Sequence, residues 1–467
     1  MAGNRKKLQI SRGGFLEVLK VALPLVLSQS CHAANMFVDR LMLARFSQEA
    51  VAASFTAGLT NFTIACFFIG TINYTGTFVA QYEGSRHREH IGQSVWQGIY
   101  LSLIGGALLF SGYFWAKPLF GLFPHASQVI AEEITYFKTL SLGGVMLMLS
   151  CVMPCFWTGR GKTHFVLAVS CIITLCNIPL NYILIYGKFG LPAGGVAGAA
   201  LGTILAESIG AVIYFIAFLH PVSRRCFATW NCRLNWHLMS RMLRFGVPNG
   251  VNMAIDLVSF NTFALLLGCY GVAVQEATSI TFGINNIAFC PVIGIAMTSS
   301  ILVGQAVGAE KIALAKKSVR SCLILVTLYN GLMIVLFSCF QHLVLAPFIR
   351  PGDAAQLESI AIAGVMLYFI SCYLFFDGIN LVLSNALRGA GDTRFTMYAM
   401  SLAGIFCFAT PCIVFYHLGF PWWALWLAMI FDIILLGVVF TIRYLRGAWT
   451  KMRVIEESAL PDEDEQL

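Results

Sequence analysis

Charge is what this chain lacks. Only 22 acidic and 30 basic residues are found among 467, so 11% of the chain is charged, where a soluble domain carries about a quarter. That shortage excludes a water-soluble globular enzyme, because the surface could not be solvated. Alternation of apolar and polar residues at every second position is also missing, which excludes a transmembrane β-barrel. The nine histidines are scattered, so neither a metal centre nor a clustered catalytic site is expected. The fifteen cysteines fall mostly inside apolar runs, where they act as small hydrophobes. No disulfide framework, no cysteine-held metal and no cofactor are therefore expected.

What is present is apolar surface: 58% hydrophobic residues and a mean hydropathy of +0.77. A span takes about 20 apolar residues, and the runs fall at 18–44, 53–80, 93–116, 127–153, 163–186, 194–219, 240–268, 277–305, 314–340, 355–386, 394–416 and 422–446. The sequence thus predicts an all-α polytopic membrane protein with twelve helices. With the N-terminus inside, 24 of the 30 basic residues fall on the cytoplasmic side, Arg388 among them. Lysine and arginine concentrate in cytoplasmic loops, so both termini are expected in the cytoplasm. The net charge of +8 is then topology, and no nucleic-acid partner is needed. Residues 1–17 form a cytoplasmic lead, and 447–467 a cytoplasmic tail whose acidic end reads as disordered.

The chain also repeats itself. A shift of 224 lays Pro24 on Pro248, Gly70 on Gly294, Gln81 on Gln305 and Gly84 on Gly308. A shift of 230 lays TGRGKT (158–163) on RGAGDT (388–393). Six spans per half is an even number, so the halves are parallel repeats, an arrangement used by transporters with the path between lobes. The expected organisation is an N-lobe (18–219), a cytoplasmic linker (220–239) and a C-lobe (240–446). The GRGKT segment resembles a phosphate-binding loop only in its end. Its twin has no lysine, so both read as tight turns, and the energy source is expected to be an ion gradient.

Ionisable groups inside spans are functional hypotheses by default. Ser28, His32, Asn35 and Asp39 are spaced 4, 3, 4, as are Ser170, Thr174, Asn177 and Asn181, which puts each set on one helix face. Asn249, Asn252, Asp256 and Ser259 form a third stripe, and Tyr373, Asp377, Asn380, Ser384 and Arg388 a fourth. Four stripes, three carrying an aspartate, suggest a water-filled cavity that handles an ion. The expected lining includes His32, Asn35, Thr203, Glu207, Asn252, Asn285 and Asn380, with His32 either protonated or a neutral hydrogen-bonding group. Asp256 and Asp377 read as paired carboxylates, which share a cation or raise one another's pKa. Asp432 reads as a structural pair, Arg40 as a side chain turned away from Asp39, and the Gly194, Gly198, Gly202 ladder as helix packing.

These residues together resemble the multidrug and toxic compound extrusion (MATE) family. The resemblance covers residues 15–446. It rests on Pro24 and VDRLML around Asp39, VAQYEG (79–84), TGRGKT, NIPLNYILIYGKFGLPAGGVAGAALGT (177–203), GVPNGVNMAID (246–256) and FDGINLVLSNALRGAGDT (376–393). It implies two pseudo-symmetric six-helix lobes in a V, and export of organic, often cationic, amphipathic compounds in exchange for H⁺ or Na⁺. The chain is similar to the NorM branch, which implies an N-lobe cluster of Asp39, Asn177 and Asn181 and a C-lobe cation site of Asp256, Tyr373 and Asp377. Asp256 and Asp377 would be the metal ligands if the ion is Na⁺. Asp256 departs from the Glu usual at its position, and Arg40 from a small or hydroxyl residue. The expected partners are a small organic substrate, the coupling ion and lipid, for a monomer in a bacterial cytoplasmic (inner) membrane. The alternative is a lipid-linked oligosaccharide flippase of the wider superfamily, whose cavity would be cationic. A membrane-embedded enzyme would need a clustered His/Asp or metal motif, so no enzymatic activity is expected.

Overall fold

The computed structural model describes residues 13–121, 127–349 and 354–456. The acidic tail end and most of the N-terminal lead lie outside the described residues. Eleven helices are long and apolar enough to cross a membrane: α1 (Phe15–Ala44), α2 (Ala53–Gly84), α3 (Glu89–Phe120), α5 (Thr163–Tyr186), α6 (Gly195–Phe218), α7 (Trp236–Gly268), α8 (Val272–Gly308), α9 (Ile312–Cys339), α10 (Gln356–Ala390), α11 (Thr393–His417) and α12 (Trp423–Leu445). The fourth predicted run, 127–153, is not one straight helix. It is a pair, Gln128–Leu142 and Gly144–Thr158, bent by 52°, and together these make the twelfth span, α4. Gly143 and Gly144 explain the bend. A Cβ on either would lie within 3.0 Å of Ile204 or Leu109, so the chain passes close to its neighbours where it turns. Large apolar side chains such as Phe37, Leu175 and Leu265 stand exposed around the outside, as expected of a surface solvated by lipid. The first turn of α7 begins at Trp236, inside the predicted linker, which also holds a short helix, Pro221–Phe227.

The sequence repeat becomes a rotation in space. A Cβ on Gly84 would lie 2.0 Å from the Gln305 carbonyl oxygen, and one on Gly308 would lie 2.0 Å from that of Gln81. These contacts exchange under the 224-residue shift. The amide of Gln81 donates to Gly389 O (2.9 Å), and the amide of Gln305 donates to Gly159 O (2.7 Å). Gly70 meets the backbone of Gly250, while its counterpart Gly294 meets Val26. Ala80 and Gly304, equivalent residues, meet each other, so the pseudo-two-fold axis passes between them. Gly161 (φ +70°) and Gly391 (φ +111°) take the left-handed conformations that turn the two matching TGRGKT and RGAGDT segments, where a Cβ would be strained.

The contacts of Gln81, Gly84, Gln305 and Gly308 lie at the end of the molecule that carries the termini, and those of Gly70 and Gly294 lie about 21 Å further along the helices. At the end with the termini, the first turns of α1 (Val18, Val21, Ala22, Leu25) join a core built by α8, α9 and α10. The segment after α12 crosses back under the N-lobe. Val454 is fully buried and, with Ile455, belongs to a core that α2 to α6 share with Leu238 and Met242 of α7, and the Val454 N–H donates to the Gln81 side-chain oxygen at 3.0 Å. The lobes are therefore closed on one another at this end.

Candidate functional site

In the N-lobe, α1 and α5 run parallel and their polar stripes meet in register. Ser28 and Ser170 hydroxyls are 2.6 Å apart, and the Tyr186 hydroxyl donates to Met42 O at 2.8 Å. The 142-residue offset of the first pair also brings Asn35 opposite Asn177 and Asp39 opposite Asn181. The Asn181 amide donates both to the Asp39 carboxylate and to Asn177 Oδ1 (3.2 Å), and Thr203 of α6 donates to the other carboxylate oxygen at 3.4 Å. Asn177 and Asn181 are buried. The oxygens of Asn35 and Asn181 have no hydrogen-bond partner, so the cluster holds a carboxylate and unsatisfied amide oxygens within one layer. Its chemistry is that of a proton acceptor or of a hard-cation site, since oxygen donors suit Na⁺-like ions.

The glycine ladder does more than pack here. A Cβ on Gly202 would fall 1.9 Å from Asn181 Oδ1, so the lack of a side chain at 202 admits the amide that holds Asp39. Arg40 is exposed, with its guanidinium carbon 5.3 Å from the Phe55 ring centre, turned toward α2. Tyr136 of α4, which the sequence did not single out, is an electrostatic neighbour of both Asp39 and Arg40. Glu207 interacts with Cys151 and Tyr214, away from the Asp39 layer, and His32 is exposed.

The C-lobe differs from expectation. Asp256 and Asp377 are not brought together as a pair. Asp377 is buried, with Tyr373 one turn before it as its electrostatic neighbour. Asp256 instead has Arg388 and Asp432 as its electrostatic neighbours. Arg388 is not a loop cation: it sits in the last turns of α10, and its Nη2 reaches Met400 Sδ at 3.1 Å. Asn252, one turn before Asp256, donates to the same sulfur at 3.1 Å. The Asn249 amide crosses to Gly70 O of the N-lobe at 2.6 Å, so the stripe it shares with Asp256 fronts the space between the lobes, where Asp256 is exposed. Asp432 is buried with one carboxylate oxygen unpartnered, and among the described residues no cation pairs with it, which departs from the expected structural pair. Between Asp432 and α7, residues Ala403–Ala409 of α11 form a π-helical turn, a widening often found at functional sites.

Around Asp377, the amide of Asn330 donates to Leu374 O at 2.6 Å, and its oxygen is unpartnered, as are those of Asn285 and Asn380. Gly378 makes room for Asn330, since a Cβ there would lie 2.4 Å from its Nδ2. Sequence spacing does not single out Asn330, which stands alone in the ninth run with no stripe around it. Among the described residues no group of three His, Cys, Asp or Glu side chains is placed to hold a metal ion, so a cation here would rely on amide and hydroxyl oxygens beside single carboxylates.

Comparison with known proteins agrees with this architecture. The family model MatE matches residues 24–183 and 248–410. The chain is 26% identical over 440 residues to the "Probable multidrug resistance protein NorM" of Bradyrhizobium diazoefficiens, covering 88% of this chain and 89% of that one. It is also 26% identical over 466 residues to the "Multidrug resistance protein PmpM" of Pseudomonas aeruginosa, covering 95% of each. Among solved structures, an outward-facing multidrug resistance MATE family transporter aligns with a TM-score of 0.83 at 16% identity, over 94% of this chain and 96% of that one. A MOP superfamily transporter from Pyrococcus furiosus aligns with the same score and identity, over 97% and 100%.

Proposed function

The chain belongs to the MatE family, and on that premise we propose that it is a secondary antiporter that exports organic, cationic amphipathic compounds in exchange for H⁺ or Na⁺. The observation that carries this reading is the Asp39 cluster: one carboxylate held inside the span by Asn181 and Thr203, with Asn177 and Asn35 in the same layer. Such a group gives a coupling ion a place to load and unload. Asp377 with Tyr373, and Asp256 opposite Arg388, supply the C-lobe's share, and His32, Glu207, Asn252, Asn285 and Asn380 complete the polar lining. The relatives are named for multidrug resistance, which favours drug efflux over flipping of lipid-linked sugars. Lysine and arginine distribution supports both termini in the cytoplasm of a bacterial inner-membrane protein. With that orientation the closed end is cytoplasmic and the described state faces outward.

In this mechanism the lobes rock about the pseudo-two-fold axis. Ion loading at Asp39 favours re-closure without cargo, and a cationic amphiphile competes for the carboxylates in the opposite state. One charge crossing about 100 mV releases about 2.3 kcal/mol, enough for a cargo gradient of about 50-fold. The test is substrate efflux from proteoliposomes under a Na⁺ gradient or a pH gradient imposed separately. The Asp39→Asn protein should lose the response to whichever gradient drives the native protein; export that keeps its full ion dependence in that variant would refute the assignment.

A further inference from the structure

At the closed end, a cavity of about 420 Å³ is lined by His237, Arg241, Arg244, Phe245, Arg453 and Glu456. His237, Arg241 and Arg244 follow one another at spacings of four and three on the first turns of α7, so they share a face. The opposite wall is the segment after α12. Four basic side chains thus surround a single carboxylate. Glu456 already shows that the cavity takes an anion: its carboxylate lies 2.9 Å from Arg241 and 3.1 Å from His237. Arg241 also donates to Val454 O, and Arg453 turns out to pair with Glu310 in the α8–α9 connection. Arg244 has no hydrogen-bond or ion-pair acceptor among the described residues.

We infer that this cavity is a binding site for an anionic phosphate group, and that its occupant displaces Glu456 and frees residues 452–456 from the lobe interface. Two guanidinium groups three residues apart on one helix face match the spread of oxygens on a phosphate, which arginine binds through paired hydrogen bonds. A phosphate on Arg241 and Arg244 would place its charge against the Glu456 carboxylate, so the two anions exclude each other. Arg241 is the link to the lobes. It holds the same segment that buries Val454 and bonds Gln81, the glutamine whose amide also holds Gly389 across the axis. Trp236, next to His237 in the chain, stands exposed at 74%, as aromatic side chains do at headgroup depth. The phosphate is therefore that of an anionic phospholipid or a soluble phosphate reaching the same level.

The experiment uses the full chain in three preparations: phosphatidylcholine vesicles, the same vesicles with added phosphatidylglycerol, and the first preparation with excess inorganic phosphate. Hydrogen exchange of residues 449–456 is read by mass spectrometry. Exchange should rise about tenfold in the preparation that supplies the ligand, the ratio expected for losing one charge-assisted hydrogen-bonded pair. A rise with phosphatidylglycerol alone assigns the site to lipid; a rise with inorganic phosphate assigns it to the soluble ion. Glu456→Gln should show the raised exchange in plain phosphatidylcholine. Arg244→Gln should keep the native baseline and lose the response, and Arg244→Lys should recover part of it. Equal exchange in all three preparations would overturn the inference, as would an unchanged response in Arg244→Gln. So would an equal rise on adding oleate, which brings charge without phosphate. Asp39→Asn should respond like the native protein, so this test fails or passes independently of the ion-coupling reading.

Discussion

Replacing Gly84 or Gly308 by alanine should push the closed end of the molecule apart. The new Cβ would lie 2.0 Å from a main-chain oxygen of the other lobe, at Gln305 or Gln81 respectively, where real Cβ contacts essentially never fall below 3.0 Å. The obstacle is backbone, so no side chain can swing aside, and relief needs a shift of at least 1 Å between α2 and α8. Overpacking of this kind costs about 1–3 kcal/mol. The strain exists only while the lobes touch here, so it is released by opening and not by unfolding. The equilibrium between closed and open ends should then move about 5- to 150-fold. Hydrogen exchange at the ends of α2 and α8 measures the shift directly, with Gly283→Ala as control because nothing lies within 4 Å of a Cβ there. The two variants should behave alike, since each is the other's image under the pseudo-two-fold. If the thermal midpoint falls while exchange at these ends stays native, the contact is ordinary packing and the reasoning is wrong. Unequal shifts would refute the symmetry argument alone.

Further outcomes follow from single contacts. Gly202→Ala should cost ion-driven export while leaving the fold intact, because the Cβ displaces the amide oxygen of Asn181; near-native transport in proteoliposomes would count against the Asp39 cluster. Asp377→Asn should abolish or strongly reduce ion-driven export from vesicles. Asp256→Asn and Arg388→Gln should be coupled, the double variant exporting faster than the product of the single effects, since each single change strands the other's charge. Arg443→Ala should lower stability by about 2–3 kcal/mol in thermal unfolding, because Asp392 is 4% exposed and loses a partner at 2.7 Å, with the figure reduced from the usual cost of breaking a buried pair because Arg443 is partly exposed.

Sequence periodicity reached some of these contacts and stopped short of others for physical reasons. The stripes of α1 and α5 share the spacing 4, 3, 4, and helices packed in parallel at one offset bring equal spacings into register, so the Asp39 layer is legible in the spacing alone. The fourth stripe was equally regular and misled. Eleven residues separate Asp377 from Arg388, about 16 Å along a helix, and a stripe does not reveal which of its ends a neighbouring helix meets. Asp256 has its electrostatic neighbour at the Arg388 end, and Asp377 has Tyr373. Arg388 counts in the sequence both as a cytoplasmic charge and as the end of a stripe, and the last turn of α10 carries it. The cue for the crossing segment is fainter still: Val454 and Ile455 are two apolar residues in a polar tail, and only their burial in the core shared by the N-lobe and α7 gives them meaning. Repeats and stripes encode what each helix presents, whereas the pairing of charges between lobes depends on tilt and depth. The residues that set a transporter's resting state are therefore the ones that composition conceals.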